Sequence, residues 1–122
     1  MKIIIIIAGI WFVIYVFYKT YSRSHVDKNL KTLILKGAVI LDVRTQPEYN
    51  SGHIPGSTNI ALSKLRTDSI PFAPNQAIIT CCSHGLRSIK AVELLKARGF
   101  TNVHNGGART DLQEYTNPKS SR

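Results

Sequence analysis

The residues best placed to do chemistry are a run of seven, Cys82-Ser83-His84-Gly85-Leu86-Arg87-Ser88. They follow the apolar run Ala77-Ile78-Ile79-Thr80-Cys81, which reads as a buried parallel strand. They precede Ser88 to Arg98, which carries Ile89, Val92 and Leu95 at helical spacing and stops at Gly99. A loop from Cys82 to Arg87 leaving a strand and entering a helix is suited to hold an anion. Successive backbone N–H groups can curl around one point as a nest, and the helix adds the positive end of its dipole. Gly85 permits the backbone angles that such curling needs. A cysteine at the head of this loop sits inside a field that favours the thiolate, its nucleophilic form. Arg87 adds a permanent cation suited to an anionic substrate or leaving group. An inert buried cysteine is the competing interpretation, and the glycine, the arginine and the helix start together argue against it. Cys81 is different. Neighbouring side chains of a strand point to opposite faces, so Cys81 packs when Cys82 faces the loop. A disulfide between adjacent cysteines is strained and is not expected.

The loop needs a sheet to carry it, and the flanking sequence supplies one. Ala38-Val39-Ile40-Leu41-Asp42-Val43 is a second buried strand. Asp42 and Arg44 end it near the loop, where they are expected to hold loops by hydrogen bonds rather than do chemistry. Thr45-Gln46-Pro47-Glu48-Tyr49 reads as a helix start with proline near the first turn. Ser51 to Ser57 is a loop punctuated by glycine and proline, and His53 belongs to that turn. Thr58-Asn59-Ile60 is a short strand, 61–66 a helical turn, and 67–76 a loop with Pro71 and Pro74. Asn102-Val103-His104 is a last strand, Gly106-Gly107 turns the chain, and 108–115 is a final helix. Val26, Leu30, Leu33 and Ile34 suggest a short amphipathic helix over 25–36, closed by Gly37. Residues 117–122 read as a flexible tail. Alternating short strands and helices predict an α/β fold of three layers. Its mostly parallel central sheet has about four to five strands flanked by helices.

One hydrophobic helix precedes that fold. Of the first 18 residues, 16 are hydrophobic, and Ile3 to Tyr18 carries no charge. As a helix this stretch spans about 24 Å, a little short of the ~30 Å hydrocarbon core. Lys2 and Lys19 can snorkel outward, and Thr20 and Tyr21 extend the helix into the headgroups. No polar face suits it to a soluble core. A cleaved signal peptide is the alternative, but the only small-x-small site, Ser22-Arg23-Ser24, carries a charge. Residues 1–21 are therefore read as an anchor in the membrane, 22–36 as a juxtamembrane linker or helix, and 37–116 as the folded domain. Lys19, Arg23, Lys28, Lys31 and Lys36 follow the span, which predicts a single pass with the domain in the cytoplasm. A periplasmic or secreted domain would follow from signal cleavage.

Composition narrows the function classes. The chain has 122 residues and a net charge of +9, of which residues 1–36 carry +5. Much of the basic excess thus flanks the anchor, and with no basic block nucleic acid is not an expected partner. Two adjacent cysteines make no disulfide framework, and Cys and His are too few and too badly spaced for a structural zinc cluster.

Three segments in order resemble the rhodanese-like sulfurtransferases. Leu41-Asp42-Val43-Arg44, Glu48-Tyr49 and Gly52-His53-Ile54-Pro55-Gly56-Ser57-Thr58-Asn59-Ile60 resemble the family's first signature. Cys82 to Ser88 resembles its active-site loop, and Asn102-Val103-His104-Asn105-Gly106-Gly107 its closing strand and turn. The tryptophan often found after the double glycine is absent. The resemblance implies that Cys82 takes a sulfane sulfur from thiosulfate or a persulfide donor and becomes a persulfide. Cyanide, a small thiol or a protein cysteine then accepts the sulfur. It implies that residues 83–88 bind the substrate through Ser83, His84, Gly85, Leu86, Arg87 and Ser88, with loop amides stabilising the anion. It implies no metal and no organic cofactor. His84 occupies a variable position and reads as an exposed loop histidine. Two other classes compete. Counted from Cys81, the loop is Cys-x5-Arg, the pattern of a phosphatase or arsenate reductase. Gly85 is then displaced by one, and Thr80 stands where a histidine is usual. A non-enzymatic, membrane-tethered sulfur carrier or scaffold would share the loop but not turn over thiosulfate.

Overall fold

The computed structural model describes residues 1–24 and 26–116, with the side chains of Arg23 and Ser24 outside that description. The expected tail at 117–122, and His25 at the start of the expected linker helix, lie outside the described residues. The elements in order are α1 (Lys2–Ser24), α2 (Leu30–Leu35), β1 (Val39–Asp42), α3 (Gln46–Asn50), β2 (Thr58–Asn59) and a 3-10 turn (Leu62–Lys64). They continue with β3 (Ile78–Cys82), α4 (Leu86–Ala97), β4 (Val103–Ala108) and α5 (Arg109–Thr116). The four strands form a parallel sheet in the order β2-β1-β3-β4. The two apolar runs are the central pair, with Leu41 opposite Thr80 and Asp42 opposite Cys81.

Strand alternation divides the core between the two faces of the sheet. Leu41, Val43, Ile78 and Cys82 face one layer, where they meet Leu65 and the α4 residues Ala91 and Leu95. Ile40, Ile79 and Cys81 face the other, where they meet Leu30 of α2, Ile54 and Leu112 of α5. All of these are buried. The period of two therefore sends the adjacent cysteines into different layers.

Several element boundaries differ from the sequence expectation, two of them for a tertiary reason. The linker helix starts at Leu30 rather than near 25. The Asp27 N–H donates to the Asn105 carbonyl at 3.0 Å and its carboxylate meets His104 Nδ1 at 3.0 Å, so this stretch is tied to β4 and does not coil. The last strand extends through Gly106-Gly107 to Ala108, where a turn is expected. A Cβ on Gly106 would lie 2.7 Å from both the Thr80 carbonyl and Ile79 Cγ2. The missing side chain is what lets β4 continue against β3 and under α5. A register shift between Thr80 and Cys82 accompanies it. Finally, α4 starts at Leu86, two residues earlier than expected, and Cys82 is the last residue of β3 rather than the first of the loop.

Helix α1 is long enough for its chemistry. Lys2–Ser22 is a 21-residue stretch of mean hydropathy 2.2 with none of its apolar window buried in the fold. This is one helix apolar enough to cross a membrane. The 23 residues of α1 correspond to roughly 34 Å at the α-helical rise, which removes the shortfall of the stretch 3–18 taken alone.

Candidate active site

The loop between β3 and α4 is only Ser83, His84 and Gly85. Gly85 stands at the helix N-cap with φ 90, a left-handed conformation that costs a side-chain-bearing residue about 1–2 kcal/mol. That conformation turns the Gly85 N–H back onto Cys82 Sγ, at 3.0 Å. The sulfur thus meets a backbone donor at the start of a 12-residue helix, a combination that stabilises negative charge on sulfur. Cys82 is 1% exposed. It lines a cavity of about 210 Å³ together with Tyr18, His84, Leu86 and Arg87.

Ser88 does not reach that cavity. Its hydroxyl is buried and donates to the Gly85 carbonyl at 3.1 Å, while its own carbonyl accepts from Thr80 Oγ1 at 3.0 Å. Ser88 is among the residues expected to bind substrate through loop amides, and its side chain secures the loop from beneath. His84 is exposed, and its carbonyl accepts from Ser22 Oγ of α1 at 2.8 Å.

Arg87 is committed to a partner. Its Nη1 and Nη2 each donate to Glu48, to Oε1 and Oε2, at 2.8 Å. Ser83 Oγ donates to Glu48 Oε2 at 2.9 Å, and Arg87 Nη2 donates to Ser83 Oγ at 3.1 Å. The Arg87 guanidinium, then Ser83 and Thr45, hold the Glu48 carboxyl well below the usual carboxylate range. Thr45 and Glu48 close a capping box at the start of α3, with the Thr45 hydroxyl donating to Glu48 Oε1 at 2.9 Å. The cation expected to meet an anionic donor is therefore already paired with a carboxylate, and the side chains of Ser83 and Arg87 turn toward α3.

Behind this network lies a buried ion pair. Arg44 Nη2 meets Asp42 Oδ2 at 2.6 Å, and Arg44 Nε lies 2.9 Å from Asp42 Oδ1. Both residues are buried. Arg44 also donates to the carbonyls of Glu48 at 3.2 Å and Gly52 at 2.8 Å. Asp42 and Arg44 thus fix the α3 turn that presents Glu48, and neither faces the cavity that Cys82 lines. Nearby, Tyr49 stacks on His53 at 3.8 Å between ring centroids, and the Tyr49 hydroxyl donates to the Ser57 carbonyl at 2.6 Å. His53 is part of this structural turn.

Cys81 lies in the opposite layer, fully buried, and burial, followed by Asp42, pushes its thiol well above the ordinary range. It is a packing residue. A larger open cleft of about 520 Å³ lies over α3 and β2, lined by Thr45, Tyr49, Asn59 and Lys64 among others. It contains no nucleophilic cysteine and is separate from the Cys82 cavity.

Three contributors to the site are not evident from the sequence. Glu48 is 35 and 39 residues from Ser83 and Arg87. The capping-box spacing Thr45-x-x-Glu48 was the one local sign that its carboxylate has a fixed place. Tyr18 and Ser22 come from the hydrophobic head, which carries no local sign of a role at the site.

Comparison with known proteins points in one direction. The model of the rhodanese-like domain family matches residues 24–107. The thiosulfate sulfurtransferase GlpE of Pseudomonas fluorescens is 34% identical over 84 residues, covering 68% of this chain and 76% of that protein. The uncharacterized protein YqhL of Bacillus subtilis is 28% identical over 101 residues, covering 77% and 80%. The structure of the human single-domain sulfurtransferase TSTD1 superposes with a TM-score of 0.63 at 26% identity, covering 70% of this chain and 90% of that one.

Proposed function

The chain belongs to the rhodanese-like domain family, and we propose that it is a sulfurtransferase working through a persulfide on Cys82. The observation that carries this reading is the Gly85 N–H directed at Cys82 Sγ at 3.0 Å from the mouth of α4. In the first half-reaction the Cys82 thiolate attacks the outer sulfur of thiosulfate or of a persulfide donor. The S–S bond of the donor breaks, and sulfite or a thiolate leaves with its electron pair. In the second half-reaction cyanide or a thiol, small or protein-borne, attacks the outer sulfur of the Cys82 persulfide. The electron pair of that S–S bond returns to Sγ. The Gly85 donor and the helix dipole favour the anionic sulfur at both ends of the cycle. No step calls for a metal or organic cofactor.

A phosphatase-type reaction finds less support. It needs the loop to be counted from Cys81, whose thiol is buried in the opposite layer, and it needs a free Arg87, whose guanidinium is bound to Glu48. Turnover of thiosulfate with cyanide tests the activity, and its loss in Cys82→Ser with retention in Cys81→Ser tests the register. Loading of Cys82 without turnover would make the chain a tethered sulfur carrier instead.

The reading extends to location: α1 anchors the domain as a single pass, with the domain in the cytoplasm. Five basic residues in 19–36 support that orientation. A C-terminal tag should sediment with membranes and resist external protease in intact spheroplasts. Digestion of a membrane-bound tag would invert the topology, and a soluble product lacking residues 1–24 would make the head a signal peptide.

A further inference from the structure

The end of the hydrophobic helix forms one wall of the cavity over Cys82. Ser22 is buried, and its hydroxyl donates to the His84 carbonyl at 2.8 Å. Gly85 leaves room for this contact, since a Cβ there would collide with Ser22 Oγ. Helix α1 is therefore docked on the catalytic loop at Ser22. Tyr18 lies four residues earlier and so on the same helix face. There it lines the cavity with Cys82, His84, Leu86 and Arg87. Cys82 is 1% exposed, so a reactant must enter this space of about 210 Å³ to meet Sγ.

The chemistry of the walls is unusual for a site that would take only small anions. The Arg87 guanidinium is neutralised by two hydrogen bonds to Glu48, and the Ser83 hydroxyl is directed to the same carboxylate. What remains beside the sulfur is the exposed His84, the half-buried ring of Tyr18 and the side chain of Leu86, a leucine left 38% exposed in the first turn of α4, and of these Tyr18 and Leu86 supply the apolar surface. Tyr18 also belongs to a helix apolar enough to cross a membrane, near its C-terminal end. The mouth therefore opens where that helix would leave the bilayer.

We propose that Tyr18 and Leu86 are specificity-determining residues that grip the apolar body of an uncharged thiol, the sulfur acceptor, arriving along the membrane surface. This inference rests on the sulfurtransferase reading and names its acceptor class. The acceptor loses its thiol proton to solvent, and its thiolate attacks the outer sulfur of the Cys82 hydropersulfide. A new S–S bond forms as the bond to Sγ breaks, and the electron pair of that bond leaves Cys82 as thiolate. The product is the acceptor's hydropersulfide, with no net oxidation or reduction. Tyr18 and Leu86 touch the acceptor's hydrocarbon part, and its sulfur lies toward Cys82.

The test uses the full chain in lipid nanodiscs, with Cys82 loaded from thiosulfate and two acceptors compared, butanethiol and mercaptoethanesulfonate. The measured quantity is the ratio of kcat/KM for the apolar thiol to that for the anionic one. In Tyr18→Ala the ratio should fall about tenfold, as expected when roughly 50 Å² of apolar surface is no longer withdrawn from water on binding, with the change mainly in KM. Tyr18→Phe keeps the ring and should keep the wild-type ratio. Thermal melting of each variant confirms that the compared proteins are folded. An unchanged ratio in Tyr18→Ala, or an equal fall in Tyr18→Phe, overturns the proposal while leaving Cys82 chemistry intact. Absence of a persulfide on wild-type Cys82 with either thiosulfate or a persulfide donor overturns the sulfurtransferase reading and this inference with it.

Discussion

Replacing Glu48 by glutamine removes one charge from the network around Cys82 while preserving its shape. The wild-type carboxylate accepts two bonds from Arg87 at 2.8 Å and one from Ser83 at 2.9 Å. The pair is 35% and 36% exposed, so solvent screens it, and its contribution stays near that of a good surface pair, about 1 kcal/mol. Weakening the Ser83 hydrogen bond adds about 0.5–1 kcal/mol. Glu48→Gln should therefore cost roughly 1–2 kcal/mol at neutral pH, or a fall of roughly 4–8 °C in Tm per kcal/mol. The pH dependence identifies the cause. Glu48 is depressed first by Arg87, then by Ser83 and Thr45. Its unfolded value is about 4.3. A depressed carboxylate stabilises the fold fully above the unfolded value, and that contribution fades as pH falls from there toward the folded value. Urea denaturation followed by circular dichroism, on wild type and Glu48→Gln at pH 7 and pH 3, should show the gap narrowing in acid. An equal gap at both pH values would mean that shape rather than charge is lost. No gap at pH 7 would mean that the network contributes nothing to stability.

Other consequences can be checked alongside. The double variant Arg87→Ala with Glu48→Gln removes the pair without leaving a bare charge. It should lower kcat/KM for thiosulfate and for an uncharged persulfide donor alike, whereas a loss confined to thiosulfate would make Arg87 an anion-steering residue. Gly85→Ala forces a side chain into φ 90 and into Ser22. It should cost about 2 kcal/mol or more in denaturation and slow loading of Cys82 by thiosulfate, and wild-type stability would contradict the docked position of α1. Asp42→Ala strands a buried Arg44 and should cost about 3–5 kcal/mol, and a loss below about 1 kcal/mol in urea would show that water reaches the pair.

The parts of the fold legible in the sequence are those governed by local pattern. The apolar runs at 38–43 and 77–81 announce β1 and β3, because a strand buried on both faces has no polar alternation to obscure it. Their period of two also separates Cys81 from Cys82. What the sequence hides depends on distant partners. The linker at 26–29 has helical spacing, but Asp27 is held by Asn105 and His104 across β4. Gly106 and Gly107 look like a turn and are strand, because Gly106 lies against β3 and α5 and Gly107 against Val26, with no room for a side chain at either. Ser88 looks like part of a binding loop and is buried beneath it. Arg87 looks free because nothing in its neighbourhood reveals a carboxylate 39 residues away. Tyr18 and Ser22 belong to a helix whose composition speaks only of lipid, and their second role emerges once the helix is seen against the His84 loop.

The most direct test of the central claim is the intact mass of the full chain after incubation with thiosulfate and removal of excess reagent. Wild type and Cys81→Ser should each gain about 32 Da, one sulfur atom, and lose it on addition of cyanide with release of thiocyanate. Cys82→Ser should gain nothing. A gain that survives in Cys82→Ser, or one that disappears in a folded Cys81→Ser, would contradict the assignment of the persulfide to Cys82.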